Sequence, residues 1–320
     1  MLVALFLAIS GLFAYEGIAE YRDAAMFQPP GVLFQVEGRT MHLYCTGEGT
    51  PAVILDSGIG GAALGWGLVQ PEVAKFTRVC SYDRAGYGWS EPGPLPRTSG
   101  RIAYELHALL EAARIKGPLM LVGHSFGGGN MQVYAHRYPE EVAGMVLVES
   151  THERQAKVFG DPGTVVLWWA RFGQGAAHLG LPRLLGIPAG NVDNLPDPVR
   201  ASAMAQGVRP QAFATLHDEL AAFGESARQE EVVTSLGDMP LTVIMQGNKS
   251  NRSGVRDQMP AKYMDAWRCL QAELAKKSKR GVLIEGDGVG HLIPMERPEM
   301  VVDAIRGIVE QIRHPPEHPR

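Results

Sequence analysis

The sequence predicts an α/β fold, a mostly parallel central sheet flanked by helices on both faces and interrupted by a helical insertion. Three observations carry that prediction. Short apolar runs bounded by Gly, Pro and Asp alternate with longer stretches of helical spacing, the pattern of parallel strands joined by crossover helices. One junction, Leu119–Val122 followed by Gly123-His124-Ser125-Phe126-Gly127, reads as a strand, a sharp glycine-rich turn and a helix start. From Thr151 to Leu236 the strand signals stop, and they resume at Pro240.

Residues 1–15 are almost wholly apolar and the first charge is Glu16. A bilayer crossing takes about 20 apolar residues, so the stretch is short for one. It also lacks the basic start of a secretory signal. The expectation is a short membrane anchor, with a signal-like segment or a helix packed on the body as alternatives. Residues 1–30 are therefore set apart as a hydrophobic segment and linker. The body would lie outside the cytoplasm or on a membrane face if the anchor holds, and in the cytoplasm otherwise.

Gly31–Val36 and Arg39–Cys45 are strand candidates around the Glu37-Gly38 turn. Ala52–Leu55 and Thr77–Tyr82 are the next two. Ser99–Ala113 has helical spacing, with Ile102, Leu106, Leu109 and Leu110 on one face. The turn at Ser125 and a helix ending at Pro139 follow, then the strand Val142–Val148. Trp168, Trp169, Phe172, Leu184, Leu185, Phe213 and Phe223 are scattered through the insertion, which predicts helices with an apolar underside. Leu241–Met245 and Gly281–Glu285 complete the strands, and Pro298–Ile312 is the last helix. Residues 31–150 and 237–313 thus form one core, 151–236 an insertion, and 314–320 a tail.

A net charge of −4 without a basic block argues against nucleic acid as a partner. No Cys/His spacing suits zinc and no phosphate-binding G-x-x-x-x-G-K motif is present, so no metal or organic cofactor is expected.

The chemistry concentrates at the ends of the strands. G-x-S-x-G between strand and helix is the setting of a nucleophile elbow, with Ser125 exposed above the sheet and the helix N-terminus behind it. Serine needs a base. His291, in Gly288-Val289-Gly290-His291 after the last strand, is the best of ten histidines. His136, His107 and His217 fall in helix patterns, and His124 should point away from the site. A carboxylate must in turn hold the base.

With these residues the chain resembles the α/β-hydrolases. The matching motifs are LDSGIGG, SYDRAGYGWS, GHSFGG and GVGHLIPMERPEMVVDAI, in that order across residues 31–313. The N-terminal segment and YCTGEG bring it nearest to bacterial membrane-associated members. The resemblance implies an α/β-hydrolase fold with residues 151–236 as a helical cap. It implies Ser125, His291 and an acid as a triad, with the backbone N–H groups of Ile59 and Phe126 as the oxyanion hole. Ser57-Gly58 stands where many relatives have His-Gly. The usual acid is missing from Gly247-Asn248-Lys249-Ser250, so the alternative position, Glu149, is expected to serve. Asp257 is the second choice and Asp287 a distant third. Asp83 and Arg84 match a motif that braces the loops. The strand order of the family makes the second and fourth strands neighbours, so Cys45 and Cys80, each closing one of them, would pair in an oxidising compartment.

The activity so implied is hydrolysis of small carboxylic esters with an apolar acyl or alcohol part, held in a pocket under the cap. His152, at the start of the cap, would face the substrate. Epoxide hydrolases and haloalkane dehalogenases share the fold but use Asp as nucleophile, so Ser125 argues against both. Amidases, C–C hydrolases, acyltransferases and cofactor-free haloperoxidases keep the same three groups and stay open. A non-catalytic binding protein on this fold is the other class; its support is the missing Asp.

Overall fold

A computed structural model describes residues 1–160, 163–247 and 261–315. The elements in order are α1 (Leu2–Met26), β1 (Val32–Val36), β2 (Arg39–Thr46), β3 (Ala52–Asp56), α2 (Gln70–Val73), β4 (Val79–Tyr82), α3 (Ser99–Ala112), β5 (Leu119–His124), α4 (Phe126–Arg137) and β6 (Val142–Val148). Then come α5 (Gln155–Phe159), α6 (Gly163–His178), α7 (Leu181–Leu185), α8 (Val199–Gly207), α9 (Pro210–Ala221) and α10 (Phe223–Glu231). The chain closes with β7 (Leu241–Gln246), α11 (Ala261–Lys276), β8 (Gly281–Gly286), α12 (Ile293–Glu296) and α13 (Pro298–Arg313).

The eight strands form one sheet in the order β1-β2-β4-β3-β5-β6-β7-β8. β1, β2 and β4 pair antiparallel, and every later pair is parallel. Strands buried on both faces read as continuous apolar runs, and here alternate residues feed opposite layers. Ile54, Leu121 and Leu147 pack towards α3, α4 and α11, while Leu55, Val122 and Val148 pack towards α2 and α13. The parallel strands all end on one edge, which gathers Asp56, His124, Val148 and Gln246.

Cys45 and Cys80 lie opposite each other in the β2/β4 register and are joined by a disulfide. Cys80 is near the start of β4 rather than its end, because antiparallel pairing sets the end of β2 against the start of β4.

Two further features differ from the sequence reading. The apolar N-terminal stretch is part of a longer helix: α1 runs 25 residues, well past Tyr15, or about 37 Å, and is long and apolar enough to cross a membrane. It passes Glu16 because that side chain is 3% exposed, held by two bonds of 2.9 Å from Arg183 of α7. The apolar residues of the insertion also divide. Phe213 is buried, but Trp168, Trp169, Phe172, Leu184 and Leu185 are exposed. The face that α6 turns inward is made of small residues, Ala170, Gly173 and Ala177, and a Cβ on Gly173 would stand 2.7 Å from the Phe213 ring.

Candidate active site

Ser125 sits between β5 and α4 with φ 53° and ψ −122°, a left-handed conformation that costs a non-glycine residue about 1–3 kcal/mol. Glycines on either side make the turn feasible. A Cβ on Gly123 would lie 2.5 Å from the Gly127 carbonyl oxygen, and one on Gly127 would lie 2.4 Å from that of Asp56. The strained turn is tied down by Ser125 N donating to Val148 O at 2.9 Å and by Thr151 N donating to Ser125 O at 3.1 Å.

Three side chains from separate loops meet here. His291 Nε2 is 3.0 Å from Ser125 Oγ, and His291 Nδ1 is 3.2 Å from Glu149 Oε2. Glu149 follows β6 and is 1% exposed. Oε1 accepts from Gln246 N at 2.6 Å and from Trp267 Nε1 at 3.0 Å, and Oε2 accepts from Gln246 Nε2 at 2.8 Å. A carboxylate out of water needs such donors, since a buried charge left unpaired is costly. With Nδ1 donating to the carboxylate, Nε2 carries the free lone pair and faces the serine hydroxyl. This ordering leaves the hydroxyl proton of Ser125 with an acceptor in place.

Arg154, five residues after Glu149, pairs with Glu273 and leaves Glu149 alone. The other sequence candidates are placed as follows. Asp287 is exposed. Asp257 lies outside the described residues. His152 is buried against Glu153 and Glu273, away from the cleft described below. His124 is the clear difference: it does not point away. Its Nε2 is 2.9 Å from the His291 carbonyl oxygen and its ring centroid is 4.9 Å from that of His291. Because a carbonyl only accepts, Nε2 carries the proton. Burial and the neighbouring His291 push the His124 pKa down to about 3, so the ring is neutral and holds the backbone of the His291 loop.

Ile59 and Phe126 flank the serine. Phe126 opens α4, where an N–H has no partner within the helix. A Cβ on Gly58 would come within 3.1 Å of the Ser125 Cβ, which puts the Ser57–Ile59 loop directly against the serine. Among the described residues neither the Ile59 N–H nor the Phe126 N–H has a hydrogen-bond partner. Ser57 takes the place of the common histidine, and its hydroxyl closes the loop by donating to Ala62 O at 2.8 Å.

A cleft of about 850 Å³, its open mouth included, lies beside this group. Gly58, Ile59, His124 and Leu292 form the wall next to Ser125 and His291, and Val192 and Leu195 of the insertion face them. The exposed tryptophans of α6 are not part of it. Among the described residues no three His, Cys, Asp or Glu side chains are set to hold a metal.

Sequence reasoning missed Gln246 and Trp267, the donors that hold Glu149. Trp267 lies on α11, a helix also missed, although Met264, Trp267 and Leu274 recur on one face at helical spacing. It also missed the partners of Arg84. This side chain is 1% exposed and donates to Asp56, Glu219, Ser57 O and Gly58 O.

Comparison with known proteins agrees with this architecture. An uncharacterized protein of Bacillus subtilis is 28% identical over 151 residues, 46% of each chain. A 2-hydroxymuconate semialdehyde hydrolase of Pseudomonas is 39% identical over 117 residues, 35% of this chain and 41% of that one. The chain thus matches less than half the length of these curated relatives. A thermophilic esterase from Thermogutta terrifontis superposes with a TM-score of 0.63 at 19% identity, over 88% of this chain and 98% of that one, a likeness of fold. Residues 53–304 match the model of the alpha/beta hydrolase family, and with that span the chain belongs to the α/β-hydrolases.

Proposed function

We propose that this protein is a serine hydrolase that cleaves carboxylic esters through an acyl-enzyme, with Ser125 as nucleophile, His291 as base and Glu149 as the acid that orients it. The observation that carries the reading is the unbroken line from Ser125 Oγ through both nitrogens of His291 to a buried Glu149. As Oγ bonds to the ester carbonyl carbon, His291 Nε2 takes its proton, and Glu149 balances the imidazolium. The N–H groups of Ile59 and Phe126 receive the oxyanion. Collapse of the tetrahedral species breaks the C–O bond, and the alcohol leaves with the proton from His291. Water then gives a proton to His291 and attacks the acyl carbon. Ser125 departs with that proton and the carboxylic acid is released.

Residues 151–236 act as a cap on the core formed by 31–150 and 237–313. The apolar cleft walls at Ile59, Val192 and Leu195 suit a small ester with an apolar acyl or alcohol part. The length and exposure of α1 support a membrane anchor. The Cys45–Cys80 disulfide supports a body held outside the cytoplasm.

One observation favours a second reading. The Pseudomonas relative hydrolyses a semialdehyde by name, so C–C bond cleavage by the same three residues is the alternative. The test is hydrolysis of p-nitrophenyl esters from acetate to palmitate by wild type and Ser125→Ala. The variant should lose on the order of 10⁴-fold or more in kcat, with its circular dichroism unchanged. Ester turnover that survives in Ser125→Ala would refute the mechanism. No ester turnover, with Ser125 still labelled by a fluorophosphonate, would move the reading to a C–C substrate.

A further inference from the structure

The guanidinium of Arg84 lies beneath the loop that follows β3. Nη1 donates to Asp56 Oδ1 at 2.7 Å and to Ser57 O at 2.5 Å. Nη2 donates to Gly58 O at 2.9 Å. The remaining donors go to Glu219 on α9, Nε to Oε1 at 2.7 Å and Nη2 to Oε2 at 3.0 Å. Tyr87 completes the group. Its hydroxyl donates to Glu219 Oε2 at 3.0 Å and accepts from Gly60 N at 3.2 Å. Arg84, Asp56 and Glu219 are each at most 1% exposed.

Two carbonyls on one rigid fork have a consequence for the peptide that follows. In a trans peptide the C=O and the N–H lie in one plane and point in opposite directions. Gly58 O and the Ile59 N–H share such a plane. With Gly58 O held by Arg84 and also by Gly61 N, which donates to it at 3.0 Å, the Ile59 N–H is turned away from the guanidinium. On that far side the Ile59 N–H has no partner among the described residues, and the loop there runs against Ser125. The positive charge on the carbonyl also polarises the peptide, which strengthens its N–H as a donor.

We propose that Arg84 and Glu219 are positioning residues for the oxyanion hole: Arg84 sets the Gly58–Ile59 peptide so that its N–H faces the developing oxyanion, and Glu219 fixes Arg84 from the insertion. The proposal rests on the serine-hydrolase reading above. It also makes the hole depend on the insertion, since Glu219 comes from α9 while Ile59 belongs to the core. A contribution to stability alone would leave the chemical step untouched in any variant that folds.

The experiment uses the full chain with Arg84→Lys, Glu219→Gln and Tyr87→Phe. It measures kcat and KM on a soluble p-nitrophenyl ester, and Ki for an alkyl trifluoromethyl ketone, which forms an oxyanion on the serine. Arg84→Lys and Glu219→Gln should lose about 10- to 100-fold in kcat, with KM changed by less than about threefold, the pattern of an interaction made in the transition state. Inhibitor affinity should fall by the same factor as kcat. Tyr87→Phe should follow the same line with a smaller loss. Folded variants that keep wild-type kcat and Ki overturn the proposal. So does a loss of kcat with Ki unchanged. If Arg84→Lys does not fold, Glu219→Gln and Tyr87→Phe, which remove one charge and one hydroxyl, decide it. Ser125→Ala separates the two levels. If that variant still turns over ester, the serine reading fails and the clamp with it; if it is dead while the clamp variants match wild type, only the clamp fails.

Discussion

Beneath the loop at Ser57 a guanidinium and two carboxylates lie out of water, whereas on α1, α6 and α7 large apolar side chains stand in it. Each region reverses the usual distribution of polar and apolar groups. The buried one is satisfied from within: every donor nitrogen of Arg84 meets an oxygen, and Asp56 Oδ2 accepts from Asn130 Nδ2 at 2.9 Å. Among the described residues the exposed one has nothing to cover it. Trp168 is 73% and Trp169 68% exposed, and the inward side of α6 is already closed by alanine and glycine against Phe213. A closed polar network fixes geometry, which suits a place beside Ser125. An open apolar patch of this size points to a contact outside the chain.

The comparison is broken most sharply by removing the buried cation. Arg84→Met leaves the carboxylates of Asp56 and Glu219 buried without their partner, and losing one member of a buried pair costs about 3–5 kcal/mol. Chemical denaturation at pH 7 should show that loss. A value under about 1 kcal/mol would mean that water reaches the network and that it holds little in place.

How much of this was legible from the sequence depended on whether the cause was local. The parallel strands were, within one or two residues, because strands buried on both faces have to be written as runs such as Leu119–Val122 and Val142–Val148. The turn at Ser125 was, because no side chain other than hydrogen fits at Gly123 or Gly127. The nearness of Ser125, His291 and Glu149 followed from strand ends sharing one edge of the sheet. What escaped depended on partners far along the chain. Glu16 marked the end of the apolar stretch, yet the helix continues because Arg183 neutralises that charge. Glu219 looked like any acidic residue on a helix until the fold set it on Arg84, which lies 135 residues away in the sequence. The apolar residues of α6 misled for a physical reason: close packing on Phe213 selects small side chains, so the most hydrophobic stripe of the helix is the one left outside. His124 could not be placed from its spacing, since its direction is set by the His291 carbonyl.

Glu230 on α10 sharpens the comparison, because it is buried without a cation in hydrogen-bond contact among the described residues. Its nearest polar partner is Thr151 Oγ1, 3.5 Å from both carboxyl oxygens. Burial pushes its pKa up to about 8, against a smaller lowering by Lys277. The folded pKa therefore lies above the unfolded one. The favourable contribution is complete below the ordinary carboxylate pKa and is lost as pH rises towards 8. At its steepest the loss is about 1.4 kcal/mol per pH unit. Glu230→Gln should remove this component, so that the stability difference between wild type and variant changes between pH 5 and pH 8 and levels off above. A difference constant across that range would show a carboxyl ionised throughout, with water or Lys277 holding it.

The smallest effect on stability, and the strictest contrast with Arg84, belongs to the exposed tryptophans. Trp168→Phe with Trp169→Phe should leave unfolding within about 0.5 kcal/mol of wild type, since neither ring is covered. Their environment is what should change when a bilayer is present. Trp66 and Trp267 are buried and Trp89 is partly so, which leaves these two as the exposed indoles. If α1 anchors the chain, its contact with α6 and the bonds from Arg183 to Glu16 and Asp23 hold the insertion against the base of that anchor. Indole rings favour the interface between headgroups and acyl chains. In phosphatidylcholine vesicles carrying brominated acyl chains, wild-type emission should then be quenched, and the doubly substituted chain should lose the quenchable part. Emission that stays quench-resistant while the chain floats with the vesicles would place the patch away from the lipid. The cover for those side chains would then be sought in a second copy of the chain, as a change of oligomeric state between wild type and the variant in detergent.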